Sequence, residues 1–206
     1  MKKGIWLLLG VVVIAGGAWL LVSKKSGKPA AEAPKQQPLA ISKNSAAFNE
    51  SFGQLLQAYA DLKTAFVNWD SVQATQLAPK LAAAANSVKF NELKGDTAII
   101  ATAKSLADGL VAETKAIAGE ATIEGKRRSF YVLSEDLYNL ARAVHYDQGV
   151  IYHMSCPMAF NDSEEAFWIS TDSTIVNPYL GKKHPHYAGG MIGCGKVQDS
   201  IDFRHS

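Results

Sequence analysis

The sequence predicts a mainly α protein: an antiparallel up-down four-helix bundle with a C-terminal cap of loops and short strands, preceded by one N-terminal transmembrane helix. Three observations lead there. The chain opens with an apolar run of membrane-spanning length. Between residues 43 and 148, four stretches repeat large apolar residues at spacings of three and four. After Gly149 that period is lost, and β-branched and aromatic residues gather in short runs instead.

The opening run extends from Ile5 to Val22, interrupted only by glycine and alanine. At 1.5 Å per residue it reaches roughly 27 Å, close to the hydrocarbon thickness of a bilayer. Gly16-Gly17-Ala18 offers small residues for a signal-peptide cleavage site, but Trp19-Leu20-Leu21-Val22 carries the run past it. Residues 1–22 therefore read as a signal anchor or, if cut, as a signal peptide. Lysines on both flanks leave orientation unsettled by charge, and with so short an N-terminal tail export of the remainder is the default. The expectation is a single-pass protein of a bacterial inner membrane whose domain faces the periplasm. Residues 23–42 are rich in Lys, Ala, Gln and Pro, with Pro29, Pro34 and Pro38 spaced through them. Such a segment favours extended conformations and reads as a disordered spacer.

The four helices follow from their stripes and caps. Phe48, Phe52, Leu55, Leu56, Tyr59, Leu62 and Phe66 form the first stripe. Asp70 or Ser71 caps a second helix carrying Val72, Leu77, Leu81, Ala84, Ala85 and Val88 inward, with a kink or break at Pro79. Gly95-Asp96 is a turn, and Asp96 caps a third helix with Ile99, Ile100, Ala103, Leu106, Leu110 and Ile117 inward. Gly119 ends it, and Thr122 caps a fourth with Phe130, Leu133, Leu137, Leu140 and Val144 along a heptad-like seam. Short turns between consecutive helices make neighbours antiparallel, hence a bundle over 43–148. Lys126-Arg127-Arg128 reads as a surface cluster pairing with Glu120 and Glu124.

Residues 149–206 should form a cap across one end of the bundle, with extended runs at 150–154 and 166–170 and with Phe160, Phe167, Trp168 and Tyr179 docking it. Both cysteines lie here, each with a methionine two or three residues away: Cys156 with Met158, and Cys194 with Met191. His153, His184 and His186 fall in or between the two halves. Thiolate and thioether sulfurs are soft donors that select Cu(I) and Ag(I) over hard cations. Cys156, Met158, Met191 and Cys194, with His153 completing or modulating the set, are therefore candidate ligands. The same two cysteines could equally form a disulfide pinning the cap, with the methionines as packing residues. Cys156 with His153 as nucleophile and base lacks a third orienting group, so no enzyme is expected. Lysine and arginine number 21 against 19 aspartate and glutamate, and no basic patch interleaved with aromatics is present, so nucleic acid is not an expected partner.

Cys156-Pro157-Met158-Ala159, Trp168-Ile169-Ser170, Ile175-x-Asn177-Pro178-Tyr179-x-Gly181 and Met191-x-x-Cys194-Gly195-x-Val197, with Arg128-x-Phe130 and Leu133-Ser134 before them, resemble a bacterial family known as domain of unknown function 3347. The resemblance runs from about Phe48 to Val197. It implies a periplasmic or membrane-tethered helical domain, some members being fused to adaptor subunits of heavy-metal efflux systems, and hence copper or silver handling with an efflux adaptor as partner. Residues 182–190 are longer than the family's usual spacing, so no family role passes to His184 or His186. The expected function is a membrane-anchored periplasmic Cu(I)/Ag(I)-binding protein that buffers the ion or delivers it to an efflux system. The alternative is a non-enzymatic structural or interaction module of such an assembly, with its cysteines in a disulfide.

Overall fold

A computed structural model describes residues 44–204; the expected membrane segment and the linker lie outside them. Among the described residues no helix is long and apolar enough to cross a membrane. The described residues are mainly helical, with four α-helices and a small three-stranded antiparallel sheet.

Helix α1 spans Ala46–Val67, α2 Ser71–Ser87, α3 Thr97–Gly119 and α4 Ile123–Ala143. Each start carries a side-chain cap. Ser45 accepts from the Phe48 N–H, Asp70 from Gln73, Asp96 from Ala98 and Thr122 from Gly125, so each satisfies an amide that the helix itself cannot. Every helix packs on its successor, and the core between them holds Phe48, Phe52, Leu62, Phe66, Phe130 and Leu133 fully buried. Tyr59 of α1 stacks on Phe130 of α4 at 5.2 Å and Phe66 meets the same ring tilted at 4.8 Å, so large aromatics join the first helix to the last.

Several expectations are corrected. Val72 is 68% exposed and faces water, not the core. Of the kink or break expected at Pro79 the break is absent: helix α2 runs through it, the ring lying on the exposed side. A 3-10 turn, Phe90–Glu92, follows α2 and buries Phe90 beside Phe48. The basic cluster does not stay together on the surface. Lys126 and Arg127 are buried, each about 3% exposed. The Lys126 ammonium donates to Ile117 O at the end of α3 (2.6 Å), and Arg127 donates to Phe66 O at the end of α1 (3.0 Å). Two consecutive cations thus meet the negative ends of two other helices, α3 and α1. Arg128 alone stays outside, paired with Glu124 and Glu164.

The C-terminal region has one strand more than expected. Strand β1 spans Ile151–Phe160, β2 Glu164–Ser170 and β3 Lys196–Ile201, in the order β2-β1-β3. Asn161 and Asp162, both at positive φ, make the tight β1–β2 turn. The sheet lies along the flank of α4, not across an end of the bundle. Its contacts run from Arg128 over the Phe160 ring, through Tyr131 on Phe167, to Tyr138 stacked on His153. On the α1 side the Tyr59 hydroxyl accepts from Ile169 N.

Candidate functional site

Strand β1 decides which candidate ligands can meet. Side chains alternate along a strand, and directly paired residues of neighbouring strands share a face. Met154 pairs with Trp168, and Cys156 with Ala166, placing these on one face. His153 pairs with Ile169 and with Asp199, on the other. The alternation is regular from Tyr152 to Cys156. His153 and Cys156, three residues apart, therefore point to opposite sides of the sheet.

His153 has its own surroundings there. Its Nε2 lies 2.6 Å from Glu135 Oε1, and its ring is stacked between Tyr138 (4.2 Å) and Phe167 (4.9 Å). The Tyr138 hydroxyl donates to Asp199 of β3, so this face forms a closed polar and aromatic network between α4 and the sheet. His153 is a docking residue and does not join the sulfurs.

The second cysteine is brought to the first by the segment between β2 and β3. Asn177 is its clamp. It is fully buried; its Oδ1 accepts from the Tyr179 and Leu180 amides, its Nδ2 donates to Cys194 O (2.8 Å), and its amide donates to Ile192 O (2.8 Å). Cys194 closes a turn by donating to Met191 O. Gly195 then passes so close to β1 that a Cβ there would sit 2.5 Å from Ser155 O and 3.0 Å from the Trp168 ring, at a φ of +133°. Only glycine fits that approach. At the other end of the segment, Lys182 N and the Trp69 indole tie it to the end of α1 through Val67 O and Leu180 O.

The outcome is a pair of thiols in hydrogen-bonding contact, Cys156 fully buried and Cys194 half-buried. The Cys156 sulfur also accepts from the Met158 amide and from the Asn177 side chain. Burial raises the Cys156 thiol above its ordinary pKa, which the two hydrogen bonds only partly offset. Met158 and Met191 are half-buried against the core, two and three residues from their respective cysteines. His184 and His186 gather around Trp69 and Tyr187. Among the described residues, no cluster of three or more His, Cys, Asp or Glu side chains is arranged to hold a metal ion. Any metal at this site would rest on the two sulfurs and neighbouring thioethers. Asn177 and Gly195 were legible only as a turn and a flexible neighbour; their shared task, delivering Cys194 to Cys156, depends on the tertiary path of the chain.

A helical bundle flanked by a small sheet that carries a buried dithiol is the class of protein these features define. The model of a family described as protein of unknown function (DUF3347) matches residues 55–149, and the chain resembles that family over its helices. The match ends before β1, so the segment holding Cys156, Met158, Met191 and Cys194 lies beyond it. No curated protein and no solved structure is significantly similar to the chain.

Proposed function

We propose that the protein is a membrane-anchored periplasmic domain, an up-down-up-down four-helix bundle behind one transmembrane helix, that binds Cu(I) or Ag(I) through Cys156 and Cys194. Met158 and Met191 flank the pair as supplementary thioether donors, and the ion is buffered or passed to an efflux adaptor. One observation carries the reading: two cysteines separated by most of the C-terminal region are brought into thiol–thiol contact. Two thiolates in a secluded, apolar place suit a soft monovalent ion that accepts low coordination, and binding would release the thiol protons.

The decisive measurement is competition for Cu(I) between the reduced protein and a chromophoric chelator. Cys156→Ser and Cys194→Ser should each weaken affinity by roughly a hundredfold or more, since one thiolate remains of two. His153→Gln should leave it within a factor of about two, because that ring stands on the other side of the sheet. Competition by the chelator unaffected by either serine variant would sink the proposal. The same thiol contact also favours a second reading, in which the pair closes to a structural disulfide. A purified protein that resists mild reductant and binds Cu(I) only after full reduction would favour that alternative.

A further inference from the structure

The thiol pair leaves unexplained a cleft of about 350 Å³ between the end of α1, the start of α4, the β1–β2 turn and the segment after Gly181. Arg127, Trp69, His184 and His186 line it, with Glu124 and Asp162 also on its walls. We infer that this cleft binds an oxyanion, the carboxylate or phosphate group of a small molecule, held by Arg127 and His184.

The charge of Arg127 is the first argument. Its side chain is almost wholly buried, yet no carboxylate forms an ion pair with it among the described residues. Nε and Nη2 donate to the carbonyls of Pro178 and Phe66, and Nη1 forms no hydrogen bond among those residues. The Trp69 ring lies 3.9 Å from the guanidinium and fixes its plane. Buried cations are ordinarily paired. Here the two acids of the cleft are otherwise engaged: Glu124 pairs with Arg128 at 3.1 Å, and Asp162 accepts a hydrogen bond from Tyr187. A guanidinium prepared in this way has a free donor and a charge that meets backbone carbonyls but no paired carboxylate.

His184 supplies the second donor. Its Nδ1 accepts from the His186 amide at 3.2 Å, which leaves Nε2 to carry the proton of the neutral ring. Stacking on Tyr187 and an edge contact with Trp69 hold the ring in place. Burial lowers Arg127 to about 9 and, with the help of the Arg127 charge, lowers His184 below the ordinary histidine range. Burial drives both displacements and Glu124 and Asp162 only partly offset them, so an anion in the cleft would oppose both. The charged and titratable groups around it are Arg127 and Glu124 from α4, Asp162 from the turn, Tyr179, and His184, His186 and Tyr187 from the following loop.

Sulfate is the suitable probe, because it stays a dianion throughout the range in which histidine titrates. The full-length protein in detergent is titrated with sodium sulfate at ionic strength held constant with chloride, following the Trp69 indole, Arg127 and His184 signals by NMR. Saturable shifts confined to this cleft are expected, with affinity rising roughly tenfold between about pH 8 and pH 5.5 as the bound anion draws a proton onto His184. Parallel titrations with acetate and inorganic phosphate identify which oxyanion is preferred. Because Arg127 also ties α1 to Pro178, the informative variant is His184→Gln in the half-exposed loop. It should weaken sulfate binding at least about fivefold near pH 5.5 and flatten the pH dependence. Shifts that do not saturate, that chloride reproduces, or that His184→Gln leaves unchanged would overturn the assignment.

Discussion

Two tyrosine hydroxyls illustrate how single residues close this fold. Strand β2 is an edge strand, and an edge offers unpaired amides and carbonyls to any passing chain. Ile169 and Phe167 point their backbone groups away from β1, and both are met by tyrosine. The Tyr59 hydroxyl accepts from Ile169 N (3.0 Å), and the Tyr179 hydroxyl donates to Phe167 O. Direction can be assigned along the first of these chains. Ser134 Oγ donates to Phe130 O (2.7 Å), so its contact with Tyr59 (2.8 Å) is one in which the phenol donates. Tyr59 thus accepts from the sheet and donates to α4 while belonging to α1. Tyr59→Phe preserves the ring stack on Phe130 but leaves a buried amide and a serine oxygen short of a partner. We expect a loss of about 1–3 kcal/mol in urea unfolding, the cost of an unsatisfied buried group. A loss below about 0.5 kcal/mol would mean that water reaches Ile169 N, and that the edge is not sealed as described.

At the scale of elements, α2 makes the more pointed prediction. It continues through Pro79 although the proline cannot donate to Thr75 O one turn earlier and its ring crowds that carbonyl. Proline there lies on the solvent side, so no packing contact compensates. Pro79→Ala should therefore stabilise the protein by about 1–3 kcal/mol, read as an increased urea midpoint at unchanged slope. Destabilisation would show instead that the neighbouring helices require a bend at this point. The same helix shows what local chemistry can and cannot reveal. Asp70, Asp96 and Thr122 were readable as caps because capping depends on a side chain and an amide two or three residues on. Strand β3 was not readable: Val197 aside, Lys196–Ser200 is polar and exposed, and its partners lie between about forty and fifty residues earlier. The burial of Lys126 and Arg127 was equally hidden, since the carbonyls that receive them belong to other helices. His153 is the instructive case. Reading the first strand as 150–154 left Cys156 in a loop, where both residues could converge. Once β1 extends to Phe160, their odd spacing separates them.

For the molecule as a whole, the thiol pair stands where a link between its sulfurs would tie the C-terminal region together. Cys156 sits on the central strand and Cys194 just before β3, so a bond between them would enclose β2 and the whole segment clamped by Asn177. Closing a loop of that length restricts the unfolded chain enough to stabilise the native state by roughly 3–4 kcal/mol, provided the native geometry accepts the bond without strain. The oxidised protein should accordingly unfold at a clearly higher urea concentration than the same protein in reductant, whereas the Cys156→Ser, Cys194→Ser double variant should match the reduced form in both conditions. A soft ion bridging the two reduced thiols is also a cross-link, and one that binds only the folded state raises stability in proportion to the logarithm of its excess over the dissociation constant. Adding Ag(I) to the reduced protein should then restore much of the midpoint lost on reduction and leave the double variant unmoved. Oxidation that stabilises while Ag(I) does not would assign the pair to a structural bond; Ag(I) that stabilises a protein which air fails to oxidise would assign it to the metal. If neither agent shifts the midpoint, the contact between Cys156 and Cys194 has no part in either chemistry.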